Sequence, residues 1–137
     1  MRNIFIIIFS CFSFQVMIAK NCNDRCGILQ TFFNSELAYK ELNLDICSEQ
    51  ITILDPKHFF DTCYFEIKHF EIKVRHDSTA ENRFLQWNIS IEKFNYKRGI
   101  YTVLIFYPYK GTYGPVKFKR RKKAGEFYIV DSKLVLV

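Results

Sequence analysis

Two hydrophobic periods divide the chain. From Cys26 to about Gln50, Leu29, Phe33 and Leu37 recur every fourth residue, with Phe32 as an i+3 neighbour. That spacing predicts an amphipathic helix, and Asp24 is its candidate N-cap. The stripe continues less regularly through Leu42, Leu44 and Ile46, which predicts a second short helix or a break near Asn43. Asp55-Pro56 ends helical character, because the residue before a proline avoids the α region. A turn containing His58, Phe59 and Phe60 follows.

From Cys63 the period is two. Phe65-Glu66-Ile67-Lys68 is echoed by Phe70-Glu71-Ile72-Lys73, an offset of five. The apolar positions therefore change parity at Lys68-His69, which requires a β-bulge or a strand break. A bulge that curves the sheet is the expectation. Leu85, Trp87, Ile89 and Ile91 alternate with polar residues and predict a half-buried strand. Ile100–Tyr107 predicts a central strand, apolar on both sides over Val103–Phe106. Pro108–Pro115 predicts a loop. Val116 and Phe118 begin another strand, Ala124-Gly125 a turn, and Phe127–Val130 the return. A helix followed by four to six antiparallel strands, with no linker composition between them, is a single α+β domain: an N-terminal helix packed on a curved antiparallel sheet.

The first residues stand apart from this pattern. Met1-Arg2-Asn3 is followed by an uncharged, largely apolar run from Ile4 to Ala19, then Lys20. This is the layout of a secretory signal peptide over 1–19, leaving a domain at 20–137. The run is short and polar for a membrane anchor, which needs about 20 mostly apolar residues. Removing it leaves 19 basic and 14 acidic residues in 118, a net charge of +5. It also removes Cys11 and leaves Cys22, Cys26, Cys47 and Cys63, an even set suited to disulfides in an oxidising compartment. Cys22 and Cys26 are poorly placed to bridge each other at a helix start, so each is expected to pair with Cys47 or Cys63. Paired short Cys-x-x-Cys knuckles are missing, so no metal site is expected. Asn88-Ile89-Ser90 is an N-glycosylation sequon on the predicted polar face of its strand.

The ending Gly99-Ile100-Tyr101-Thr102-Val103-Leu104-Ile105-Phe106, then Val116-Lys117-Phe118-Lys119 and Gly125-Glu126-Phe127-Tyr128-Ile129-Val130, resembles the last three strands of nuclear transport factor 2-like domains, within the cystatin-like superfold. Secreted nematode proteins with this domain are similar in length and layout. The resemblance covers about residues 26–135. It implies a cone of sheet around the helix that binds a small apolar ligand, pairs with another protein, or catalyses. Its enzymes place Asp, His and Tyr inside the cone, and no matching motif is found here. The Gln-x-Val-x-Gly loop of cystatin-type inhibitors is also missing.

The most conspicuous polar feature is a basic run. Lys117, Lys119, Arg120, Arg121, Lys122 and Lys123 occupy six of seven positions, and without them the mature charge falls to −1. A solvated hairpin is the plain reading; contact with a sulfated glycan or another polyanion, or proteolytic processing, are the alternatives. Phe118 is the sole aromatic inside the run, so no base-stacking nucleic-acid platform is expected. His58, His69 and His76 are the histidines of the chain; His69, at the expected bulge, is read as a strand-surface residue, and Asp61 and Asp77 could supply a carboxylate partner, although nothing in the spacing brings them together. Trp87, Phe65, Phe70, Phe106 and Phe127 are read as core, and Tyr101, Tyr107, Tyr109 and Tyr113 as core or the rim of a pocket. Nucleophile elbow, phosphate loop and HExxH strings are missing, so catalytic residues and cofactors are not assigned. The expectation is a secreted non-enzymatic binding module. The alternatives are a small secreted enzyme with its site in the cone, or a polyanion-binding protein acting through the basic hairpin.

Overall fold

A computed structural model describes residues 24–44, 50–60, 62–67, 70–77, 85–122 and 126–137. The expected signal peptide, Cys22, Cys47, Asp61, His69 and Lys123 lie outside the described residues. The fold is α+β: two short helices against a strongly curled, mostly antiparallel sheet. Helix α1 spans Asp24–Phe33 and α2 spans Glu36–Leu42. The helical stripe is thus interrupted earlier than Asn43. The Ser35 hydroxyl accepts from the Ala38 N–H at 3.3 Å and caps a new helix, which satisfies an amide the first turn leaves orphaned. Asn43 then ends α2 in the left-handed conformation, φ 54°, a state Asn tolerates better than most residues.

The strands are β1 (Ile51–Leu54), β2 (Tyr64–Ile67), β3 (Phe70–Arg75), β4 (Asn88–Lys97), β5 (Ile100–Tyr107), β6 (Thr112–Arg120), β7 (Phe127–Ser132) and β8 (Val135–Leu136). Their order in the sheet is β2-β3-β1-β4-β5-β6-β7, with β8 also on β6. The expected all-antiparallel sheet is corrected by β1, which runs parallel to both β3 and β4. Its four residues Ile-Thr-Ile-Leu are too few to show a period, and a short apolar run reads equally as helix tail or buried strand. Ile51 and Ile53 are fully buried, as an internal parallel strand requires.

The expected bulge at Lys68-His69 is also corrected. The two echoed segments pair with each other: Phe65 faces Ile72, and Ile67 faces Phe70 across a two-residue connection. Cross-strand partners here sum to an odd number, so one buried face must use odd positions in β2 and even positions in β3. The parity change is the mark of a tight hairpin. The bulges lie elsewhere: the β4–β5 register shifts between Ile91 and Lys93, and the β6–β7 register shifts so that Val130 has no opposite number.

The core lies between the concave sheet face and the helices. Phe32, Phe33, Phe60, Phe70 and Phe118 are essentially inaccessible. Cys26 of α1 is joined to Cys63 just before β2, with Cα atoms 5.8 Å apart. Trp87 and Tyr107 stack at 6.3 Å inside, both buried, so Tyr107 is core and not rim. Phe106 is half-buried on the opposite face of β5 from Ile105 and Tyr107, so it leaves the expected core. Leu85 is 56% exposed and precedes the strand assigned to it. The expected loop 108–115 shrinks to 108–111, because Thr112–Pro115 pairs with Leu104–Tyr107.

Candidate functional site

Residues Lys119–Lys122 of the basic run lie at one end of the sheet, beside the turn between β4 and β5. Strand β4 turns into β5 through Arg98-Gly99, with φ values of 52° and 77°. Lys97 faces Ile100 across these two residues, the signature of a type I′ hairpin. An arginine at the first left-handed position, in place of Asn or Gly, costs roughly 1 kcal/mol. Strand β6 runs beside β5 with Tyr101 opposite Phe118. Continuing that ladder two residues places Gly99 opposite Arg120. Two hairpin tips, Lys97-Arg98 and Arg120–Lys122, are therefore neighbours.

Between them is a groove of about 560 Å³, lined by Gly99, Lys119, Arg120, Arg121, Lys122 and Tyr128. Gly99 leaves its floor open: a Cβ there would meet nothing within 4 Å. The Arg121 amide donates to the Glu126 carbonyl at 2.7 Å and holds the far end of the hairpin closed. The Arg121 guanidinium lies 5.5 Å over the Tyr128 ring, and that of Arg120 lies 5.9 Å over the Phe127 ring. Such stacking orients a cation without neutralising it. Among the described residues, no carboxylate forms an ion pair with Lys97, Arg98, Lys119, Arg121 or Lys122. Cations this close raise a positive potential that a fixed anion would relieve.

Of the six cations in the run, four line the groove. Lys117 does not; it stands opposite Asp131 on the ladder with β7. Lys97 and Arg98 were missed by reading along the chain, because more than twenty residues separate them from Arg120. The only sequence signal was Arg-Gly between two strand-like runs, a turn cue that carries its own charge.

The second titratable cluster is at the carboxyl ends of parallel strands β1 and β3. Asp55 is fully buried, and its carboxylate accepts the Phe59 and Phe60 amides at 3.0 and 2.7 Å. His76 Nε2 lies 2.8 Å from the Phe60 carbonyl and 3.8 Å from Asp55 Oδ2. The His58 ring stacks on His76 at 4.1 Å. Both carboxylate oxygens are engaged in tying the 55–60 turn to the core, so Asp55 is structural. Asp55→Ala should lower unfolding free energy by about 3 kcal/mol, since one buried and one part-buried amide lose their acceptor; urea denaturation measures this. Asp77 does not partner a histidine. Its side-chain hydrogen bond with Arg75 holds its carboxyl below the usual range.

Asn88 is half-buried at the start of β4 and faces Thr52 of β1; Ser90 is buried. Asn88 thus alternates onto the face opposite buried Ile89 and Ile91, where it is half covered. Tyr109 and Tyr113 are exposed, Tyr101 half-buried. Among the described residues no three His, Cys, Asp or Glu side chains are grouped to hold a metal, and no helix is long and apolar enough to cross a membrane. Compared with known proteins, the chain matches no family, no curated sequence and no solved structure.

Proposed function

We propose that the protein is a secreted, non-enzymatic binding module with a cone-like, nuclear transport factor 2-like architecture, whose ligand is an extended polyanion held between the two basic hairpins. The observation that carries the reading is the groove itself: an open concavity walled by Lys119–Lys122 with Lys97 and Arg98 at the adjacent tip. A merely solvated hairpin would carry its cations without a shaped surface; here the ladder brings the two tips together, and Arg121 is stacked over the Tyr128 ring that lines the groove. Secretion is supported by the Cys26–Cys63 bond, since disulfides persist in oxidising compartments. The remaining mature cysteines, Cys22 and Cys47, then form the second pair. The sequon at Asn88 has no part in this reading.

Heparin chromatography tests the groove. The wild-type protein should be retained at about 0.15 M salt, where the Debye length is ~8 Å, and released near 1 M, where it is ~3 Å. Replacing Lys119, Arg120, Arg121 and Lys122 by Gln should abolish retention at the lower salt. A control variant replacing the exposed Lys40, Lys57, Lys73 and Lys93 by Gln has the same net charge, and should remain bound. Equal loss in both variants would reduce the effect to net charge and sink the proposal. Peptide mapping of non-reduced protein from the culture medium tests the compartment: a chain beginning at Lys20 with Cys22 joined to Cys47 is expected, and free thiols at both would refute it.

A further inference from the structure

We infer that the polyanion is the headgroup layer of an anionic lipid bilayer, which the protein meets end-on with its two neighbouring hairpin tips; this rests on the groove reading and names its ligand. Exposed tyrosines stand on both faces of the sheet at that end. Tyr96 is on the core side, its ring 4.4 Å from that of Tyr101, yet it is 58% exposed. Tyr128 alternates with Phe127 and Ile129, which pack against the core, so it points to the outer face, where it lines the groove. The ladders set the two level. Tyr96 is opposite Tyr101, Tyr101 opposite Phe118, and Phe118 opposite Ile129, the neighbour of Tyr128. Along the strands the two tyrosines therefore differ by one residue, roughly 3.4 Å.

A linear polymer in the groove touches the outer face and leaves Tyr96 bare. A flat surface that meets the end of the sheet reaches both faces at once. Lys97, Arg98, Lys119, Arg120, Arg121 and Lys122 stand at or beyond the level of the two rings, and Glu126 is the only acidic residue among the described positions 96–101, 118–122 and 126–129. Such a density of positive charge complements an anionic leaflet. Binding at the interface grows with buried apolar area as well as with charge. Tyrosine suits that second contribution, because its ring enters the headgroup layer while its hydroxyl stays in water. Tyr96 and Tyr128 flank the tips as such a pair, one on each face.

Vesicle sedimentation tests this with phosphatidylcholine alone and with phosphatidylcholine containing about one-third phosphatidylserine, beside calorimetry with a heparin oligosaccharide. The wild type should bind the anionic vesicles at least about tenfold more tightly than the neutral ones. Tyr96→Ala should weaken binding to anionic vesicles about fivefold and change oligosaccharide affinity by less than about twofold, because the ring lies on the face away from the groove. Tyr96→Trp, which keeps a ring at the interface, should bind these vesicles as tightly as wild type. Its added fluorescence should shift to shorter wavelength with anionic vesicles and not with the oligosaccharide. Oligosaccharide binding without vesicle binding would overturn the inference and leave the groove reading in place. So would equal binding to the two vesicle types, unchanged vesicle binding by Tyr96→Ala, or its equal weakening towards vesicles and oligosaccharide. Failure of anionic vesicles and oligosaccharide alike to bind the wild type would remove the groove reading itself. An unchanged melting temperature for Tyr96→Ala shows that the fold is intact.

Discussion

Replacing Cys26 and Cys63 together by Ala should lower the unfolding free energy by about 4 kcal/mol, the chain-entropy expectation for so long a loop. The bond spans 37 residues and encloses both helices and β1. Without it, the unfolded chain regains the freedom of that whole segment. The loss is a large share of the 5–15 kcal/mol typical of a domain. Both sulfur-bearing residues are buried, and α1 has only ten residues, too few to persist in water without tertiary support. The measurement is urea denaturation of wild type and variant without reductant. Cys26→Ala alone should lose as much as the pair, since the bond is the unit. A double-variant loss below about 1 kcal/mol would show that packing, and not the cross-link, holds α1 on the sheet.

Gly114→Ala should be the most damaging single change among the described glycines. Gly114 has φ 151°, and a Cβ there would stand 2.0 Å from the Lys133 carbonyl oxygen and 3.0 Å from the Leu134 Cα. Both obstacles are backbone, so no rotamer change relieves them. The position lies where the final chain passes from β7 to β8 along β6, with Val116 opposite Ser132 and Tyr113 opposite Val135. The Lys133 amide donates to Pro115 at 2.9 Å across the same crossing. An alanine must push 133–137 off β6, at a cost of more than about 2 kcal/mol. Hydrogen exchange should then lose protection at the Lys133 and Val137 amides first. Gly99→Ala separates sterics from backbone preference: φ is 77° but the space is open, so its cost should stay near 1 kcal/mol. Equal effects at the two sites would contradict the steric account.

Legibility differed along the chain for physical reasons. Strands with one buried face were readable: the alternation in Trp87, Ile89, Ile91 and in Val116, Phe118 reports which side meets the core. The arrest of helix α2 at Asn43 was readable too, because a cap is a local interaction. The Phe-Glu-Ile-Lys echo was visible as a parity change, but its meaning depended on whether the chain bent or reversed there. Only the pairing of Ile67 with Phe70 decides it. The basic run was visible as composition; its groove was not.

By itself, then, the sequence determined an α+β chain, the carboxyl-terminal hairpins and a concentration of charge near residue 120. The tertiary structure alone decided that β1 runs parallel between β3 and β4, that Tyr107 faces inward, and that Arg98 and Gly99 stand beside Arg120. Periodicity and caps act over a few residues, so they are written locally. Strand partners are chosen by burying apolar faces across long loops, a choice no single stretch of sequence contains.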